Sequence, residues 1–219
     1  MFTIFIVMMI LTLGAQWYLR STFGTWARRP NTAALTGRDV AQQILARHGL
    51  SEQVSVEAVR GQLSDHYDPM KKVVRLSEPI YGAATVAAMA VAAHEVGHAL
   101  QHARAYAPLQ WRTALLPVAR IGGSFGPYLA IFGLFLGLGG LAQIGIVLFG
   151  AAVAFQLVTL PIEFDASKRA LVEMRELGIV TRTDEGGARS VLNAAALTYV
   201  AAAAGSVMYL LYFLMMARR

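Results

Sequence analysis

The chain has 219 residues, 56% of them hydrophobic and 15% charged, with a formal net charge of +6 and a mean hydropathy of +0.50. That is too apolar for an ordinary soluble domain. The absence of cysteine excludes disulfide staples, a thiol nucleophile and any Cys-ligated zinc site, and no basic stripe interleaved with aromatics points to a nucleic-acid partner.

Residues 1–19 contain no charge and are expected to form an amino-terminal transmembrane anchor. No Lys or Arg precedes the apolar stretch and no A-x-A-like cleavage site follows it, so it reads as a retained anchor rather than a signal peptide. Residues 20–115 read as a small α+β module, with Arg20, Trp26, Arg28 and Arg29 along the lipid headgroups. Thr36 with Asp39 forms a capping pair for a helix through Val40, Ile44 and Leu45 that stops at Gly49. Val54, Val56 and Val59 suggest a strand, the run DHYDP a turn with Pro69, and residues 72–76 another strand. That last strand either binds an extended peptide by edge pairing or roofs the following helix as part of a hairpin.

The following helix, expected over residues 83–103, carries the feature that dominates the chain. In the run AVAAHEVGHALQHA, His94, Glu95 and His98 form an HExxH motif. Two histidines four residues apart lie one turn apart on the same helix face, so both imidazoles can reach one Zn²⁺ at about 2.0–2.1 Å while Glu95 points to the open coordination position. Small and apolar residues on both sides favour a continuous buried helix. The reaction class this implies is hydrolysis, in which zinc lowers the pKa of its water, Glu95 takes the proton and delivers it to a leaving amine.

Beyond the motif, 42 uncharged residues (121–162) are too many for one crossing of a hydrocarbon core about 30 Å thick and suit two. The hairpin turn is expected at Gly137, Leu138, Gly139 and Gly140, and Gly122, Gly123, Gly126 and Pro127 as a kink at the start of the second span. A further 28 uncharged residues (190–217) supply a last span, in which the Ala-rich run from Ala194 is small-residue packing material. Of the 19 Lys and Arg, 17 lie between Arg20 and Arg189, which orients residues 20–115 and 163–190 to the cytoplasm.

A catalytic zinc usually takes three protein ligands. His94, His98 and His102 spread over about 12 Å of helix, too far for one ion; His102 is a rim residue of the same face, and His48 and His66 lie far upstream. Glu163, in LPIEFDASKRA, is a lone carboxylate where the third span emerges. Two crossings separate it from His98, so the hairpin returns the chain to the side it left. In a helix Asp165 faces away from Glu163, whereas Ser167 at i+4 shares its face and can support the ligands. A donor for the oxyanion is to be sought among His66, Tyr67 and Tyr199.

DHYDP (65–69), VVRLS (73–77), AAHEVGHALQ (92–101), LPIEFDAS (160–167) and LNAAALTYVAA (192–202) together resemble the YugP-type family of bacterial membrane neutral zinc metallopeptidases, a gluzincin group akin to the HtpX and CAAX-protease type. The resemblance covers most of the chain. It implies one zinc held by His94, His98 and Glu163, with Glu95 as catalytic base, in a bacterial inner-membrane protein. HtpX-like relatives carry Glu-x-x-x-Asp downstream; Ser167 stands in the Asp place here.

The expected fold is thus a mainly α integral membrane protein with about four transmembrane helices and a small α+β zincin-like module. Its segments are an anchor (1–19), the cytoplasmic module with the HExxH helix (20–115), a transmembrane hairpin (116–162), a third-ligand helix and linker (163–190) and a carboxy-terminal span (191–219). The expected activity is zinc-dependent endopeptidase, with the lipid bilayer and a peptide or protein substrate as partners. A membrane scaffold or chaperone that keeps the zinc-site fold without catalysis is the alternative, and the intact Glu95 argues against it. A transporter is disfavoured because the four spans contain no charged residue.

Overall fold

The computed structural model describes residues 2–218, and the side chains of 5–218. In chain order the elements are α1 (Phe2–Trp26), α2 (Gly37–Arg47), β1 (Ser55–Val59), β2 (His66–Asp68), β3 (Val73–Ser77), α3 (Glu78–Tyr81), α4 (Val86–Ala103), α5 (Ala107–Phe135), α6 (Gly139–Glu176) and α7 (Arg182–Ala217). They form two compact units. One comprises Met1–Gln16, Ala107–Pro161 and Leu197–Arg219, and the other Trp17–Tyr106 and Ile162–Ala196.

Among the described residues, α5, α6 and α7 are long and apolar enough to cross a membrane. Three such helices are found where the sequence suggests four. Residues 2–19 do lie within one continuous helix, α1, and residue 1 of that expected span lies outside the described residues. At 38 residues α6 is about 57 Å long, well beyond a hydrocarbon core of about 30 Å. The hairpin turn lies at Leu136, Gly137 and Leu138, with Gly137 at φ 69°, so Gly139 and Gly140 already belong to α6. Through Pro117 and Pro127 α5 is continuous. Gly122, Gly126 and Gly133 serve there as close-packing points, because a Cβ at each would meet the backbone of Leu148, Phe149 and Ala142 of α6 at 1.9, 2.7 and 2.3 Å. A small buried cluster of Ala130, Ile146, Phe149, Val153 and Phe213 completes this unit's interior.

The other unit is built around α4, whose residues Ala87, Ala88, Met89, Ala92, Val96 and Leu100 are almost entirely buried. Val40, Ile44 and Leu45 of α2, Val74 and Leu76 of β3, and Met174 of α6 belong to the same core. α2 starts where the sequence places it. The Thr36 side chain accepts from Asp39 N and the Asp39 carboxylate accepts from Thr36 N and Oγ1, a complete capping box. At its other end His48 Nε2 lies 2.8 Å from Glu173 Oε1 of α6, and Arg47 pairs with Glu176. α4 is capped by Thr85, which accepts from Ala88 N.

The sheet has the order β1-β3-β2, and two expectations change with it. DHYDP is not wholly a turn, because His66, Tyr67 and Asp68 pair antiparallel with Arg75, Val74 and Val73. The turn proper follows, where Asp68 Oδ1 accepts from Met70 N and Lys71 N and Lys72 takes a positive φ of 52°. The strand before α4 is also not an edge: β1 pairs parallel with β3 along its length while β2 takes the other side. Edge pairing of a peptide on β3 is therefore blocked, and the arrangement is not a hairpin of β1 and β3. A parallel neighbour 18 residues upstream leaves no local sequence signature.

α4 and α6 approach closely at one point. A Cβ at Gly97 would lie 2.7 Å from Ala166 O and 3.1 Å from Ala166 Cα, both backbone atoms. No side-chain rotation can relieve that contact, so the helices come this near only because position 97 is glycine.

Two substitutions test the packing. Gly97→Ala must push α4 and α6 apart and is expected to cost about 1–3 kcal/mol of stability, measured by denaturant unfolding in detergent. Thr36→Ala is expected to cost about 1 kcal/mol at neutral pH. Hydrogen bonds from Thr36 hold the Asp39 carboxyl below its ordinary value. Its stabilising contribution is therefore complete above the unfolded pKa of about 4 and is lost as pH falls through the lowered folded value, so the gap between the two proteins should close in acid.

Candidate metal centre

His94, Glu95 and His98 sit in the middle of α4, and Glu163 is the second residue of the part of α6 that belongs to the same unit. His94, His98 and Glu163 each offer one ligand atom, and these atoms all lie within 4.8 Å of one another. Glu163 Oε2 is 3.3 Å from His94 Nε2 and 3.7 Å from His98 Nε2. Ligand atoms about 2.0–2.1 Å from a tetrahedral zinc stand about 3.3 Å apart. The donor set is one zinc takes, and the two distances from Glu163 are close to this spacing.

The far side of each imidazole is held in place. Ser167 Oγ lies 3.2 Å from His94 Nδ1, the position its i+4 relation to Glu163 suggests. His98 Nδ1 lies 3.0 Å from Gln101 Oε1. The fully buried Gln101 donates through Nε2 to Ile162 O at 2.8 Å and to Asp165 Oδ2 at 2.9 Å. Both of those partners are acceptors only, so the amide is oriented with Oε1 toward the histidine. His98 Nδ1 must then carry a proton, which leaves Nε2 as the atom that can bind a metal.

Gln101 and Asp165 are absent from the sequence-derived site. Asp165 does face away from Glu163, yet it holds the glutamine that orients His98, and it is itself paired with Arg169. Their signal is faint: a Gln at i+3 from a ligand histidine, and a carboxylate two residues past the third ligand, become meaningful only when α4 and α6 cross.

Glu95 is buried. Burial raises its pKa above the ordinary value, and Glu163 and Asp65 add to this while His94 and His98 oppose it. Upward tuning of a carboxylate is what a general base near neutral pH requires. At His98 burial disfavours charge, but the hydrogen bond to Glu163 and the negative charge of Glu95 and Glu163 outweigh it and raise the pKa to about 9. Two carboxylates thus face two imidazoles, a balance that favours a cation between them. Asp65 is fixed by Ser77, whose N and Oγ donate to Asp65 Oδ1 at 2.7 and 3.0 Å.

The remaining sequence candidates separate. The Tyr67 hydroxyl on β2 lies 2.8 Å from His102 Nδ1, one turn of α4 beyond His98. His66 is exposed, with Nδ1 2.8 Å from Ser64 O, to which it donates. Tyr199 is exposed on α7 and belongs to the other compact unit.

Residues 1–218 match the family model described as "Putative neutral zinc metallopeptidase". The chain is also 45% identical over 216 residues to "Putative membrane protease YugP" of Bacillus subtilis (strain 168), covering 97% of this chain and 96% of that protein. No solved structure matches it. With the family model and a full-length relative in agreement, the chain belongs to the neutral zinc metallopeptidase family.

Proposed function

We propose that this protein is a zinc-dependent endopeptidase of the bacterial inner membrane. One zinc per chain is held by His94, His98 and Glu163, and Glu95 is the general base. The observation that carries this reading is the convergence of His94 Nε2, His98 Nε2 and Glu163 Oε2 while both Nδ1 atoms are turned to other partners. Bound there, zinc would lower the pKa of a coordinated water toward 7 and polarise the scissile carbonyl of a peptide.

The chain's own residues do the rest. Glu95 accepts the water's proton and passes it to the leaving amine. Gln101 and Ser167 hold the imidazoles so that the donor atoms need not reorganise. Of the candidates for the oxyanion, Tyr67 is the one whose hydroxyl is held against α4, through His102. In this reading α1 adds a fourth span to α5, α6 and α7, and the basic residues between Arg20 and Arg189 keep residues 20–115 and 163–190 on the cytoplasmic side. Peptides or proteins at that face are the substrates.

Three variants test the assignment. Glu95→Gln is expected to keep about one zinc per chain by elemental analysis while peptide hydrolysis falls by roughly 10²–10⁴-fold; undiminished hydrolysis would refute the role of Glu95. Glu163→Ala should lose the zinc, and full retention would show that a different third ligand is used. Gln101→Ala should weaken zinc binding by about 10–100-fold in a chelator competition.

A further inference from the structure

α6 and α7 return on each other through residues 177–181, with Arg175 Nε donating to Glu185 Oε2 at 2.7 Å across the connection. Between them lies a groove of about 270 Å³ lined by basic and apolar residues together. At one end are Arg175 and Arg189, both bonded to Glu185. At the other are Phe164 and Ala196, and Leu171, Val172 and Leu192 line it in between. Lys168 lines the groove between these ends. It is exposed, and among the described residues it has no ion-pair partner.

Three cations against one carboxylate leave the groove with a surplus of two positive charges. Its position along the sequence is equally specific. The uncharged stretch of α6 ends at Ile162 and that of α7 begins at Ser190, so the groove begins just past that boundary on α6 and spans it on α7, from Arg189 to Ala196. From Phe164 to Arg175 is 11 residues of helix, about 16 Å. A ligand that fits has an apolar body and an anionic head a few ångströms further along. Basic pockets between membrane helices on the cytoplasmic side bind the headgroups of anionic lipids. A free phosphate would use only the charged end, and a zwitterionic headgroup would gain little from the surplus charge.

We propose that the α6–α7 groove is a binding site for an anionic phospholipid, with the acyl portion against Phe164, Leu192 and Ala196 and the phosphate at Lys168. The proposal rests on the membrane reading of the long apolar helices and is independent of the zinc chemistry. It also places the lipid beside Ser167, which lines the same groove and holds His94.

The test is native mass spectrometry of the full-length protein in detergent, titrated with phosphatidylglycerol and, separately, with phosphatidylcholine. Lys168→Glu is compared with Lys71→Glu, an identical charge change in the exposed turn after β2, and thermal unfolding confirms that both are folded. Wild type is expected to retain about one phosphatidylglycerol per chain in preference to phosphatidylcholine. Lys168→Glu should weaken that binding by at least about fivefold, Lys71→Glu should leave it unchanged, and inorganic phosphate should not displace the lipid. Equal retention of the two lipids, equal loss in both variants, or no lipid on wild type would overturn the proposal. Displacement by inorganic phosphate would overturn it in favour of a free-anion site. None of these readouts involves zinc or hydrolysis, so failure here and failure of the peptidase assignment are separate outcomes.

Discussion

The close approach of α4 to α6 at Gly97 and Ala166 is the contact on which the rest of the site depends. An HExxH helix by itself offers two ligand atoms and a carboxylate; the third ligand has to arrive on another element at a distance fixed to a fraction of an ångström. Here the candidate for it, Glu163, arrives on a helix whose backbone lies against the motif's own glycine, with no side chain between them. The spacing of about 3.3 Å between ligand atoms that zinc demands then follows from two rigid helices rather than from a flexible loop.

One turn of α6 supplies three different functions because its side chains fan out in direction. Glu163 reaches the two Nε2 atoms, Ser167 reaches the back of His94, and Asp165 reaches Gln101, which holds the back of His98. Each imidazole is gripped at Nδ1 and presented at Nε2. The buried glutamine also donates to Ile162 O, so the group that orients a ligand also ties the two helices together. Such a network is costly if half satisfied, and here both Gln101 Nε2 protons and its Oε1 have partners. Burial then adds its own effect: it raises the pKa of Glu95, the motif's single carboxylate.

The helices that carry the site also carry the membrane character of the chain. α6 is uncharged from Gly139 to Ile162 and then bears Glu163, Asp165, Lys168, Arg169, Glu173 and Arg175 within 13 residues. α7 reverses that order, with Arg182, Asp184, Glu185 and Arg189 preceding its uncharged stretch. A candidate metal ligand and a long apolar stretch therefore share one continuous helix, and in the unit that holds the site the groove between α6 and α7 is lined by basic and apolar residues together.

What the sequence by itself determined are the features encoded within one element: the HExxH face of α4, the Thr36–Asp39 capping box, the uncharged stretches, and Glu163 with Ser167 one turn apart. Each is a matter of periodicity, local hydrogen bonding or hydropathy, which a short window contains in full. Only the tertiary structure decided the rest. β2 exists because β3 had a free side for His66, Tyr67 and Asp68 to pair with, and β3 is central because β1 lies parallel to it on the other side. Gln101 and Asp165 act together because α4 and α6 cross at Gly97, 64 residues of chain separating the two side chains. Pairing across a sheet and contact between helices join segments distant in sequence, and no local pattern records which partner a buried amide or a strand edge will find.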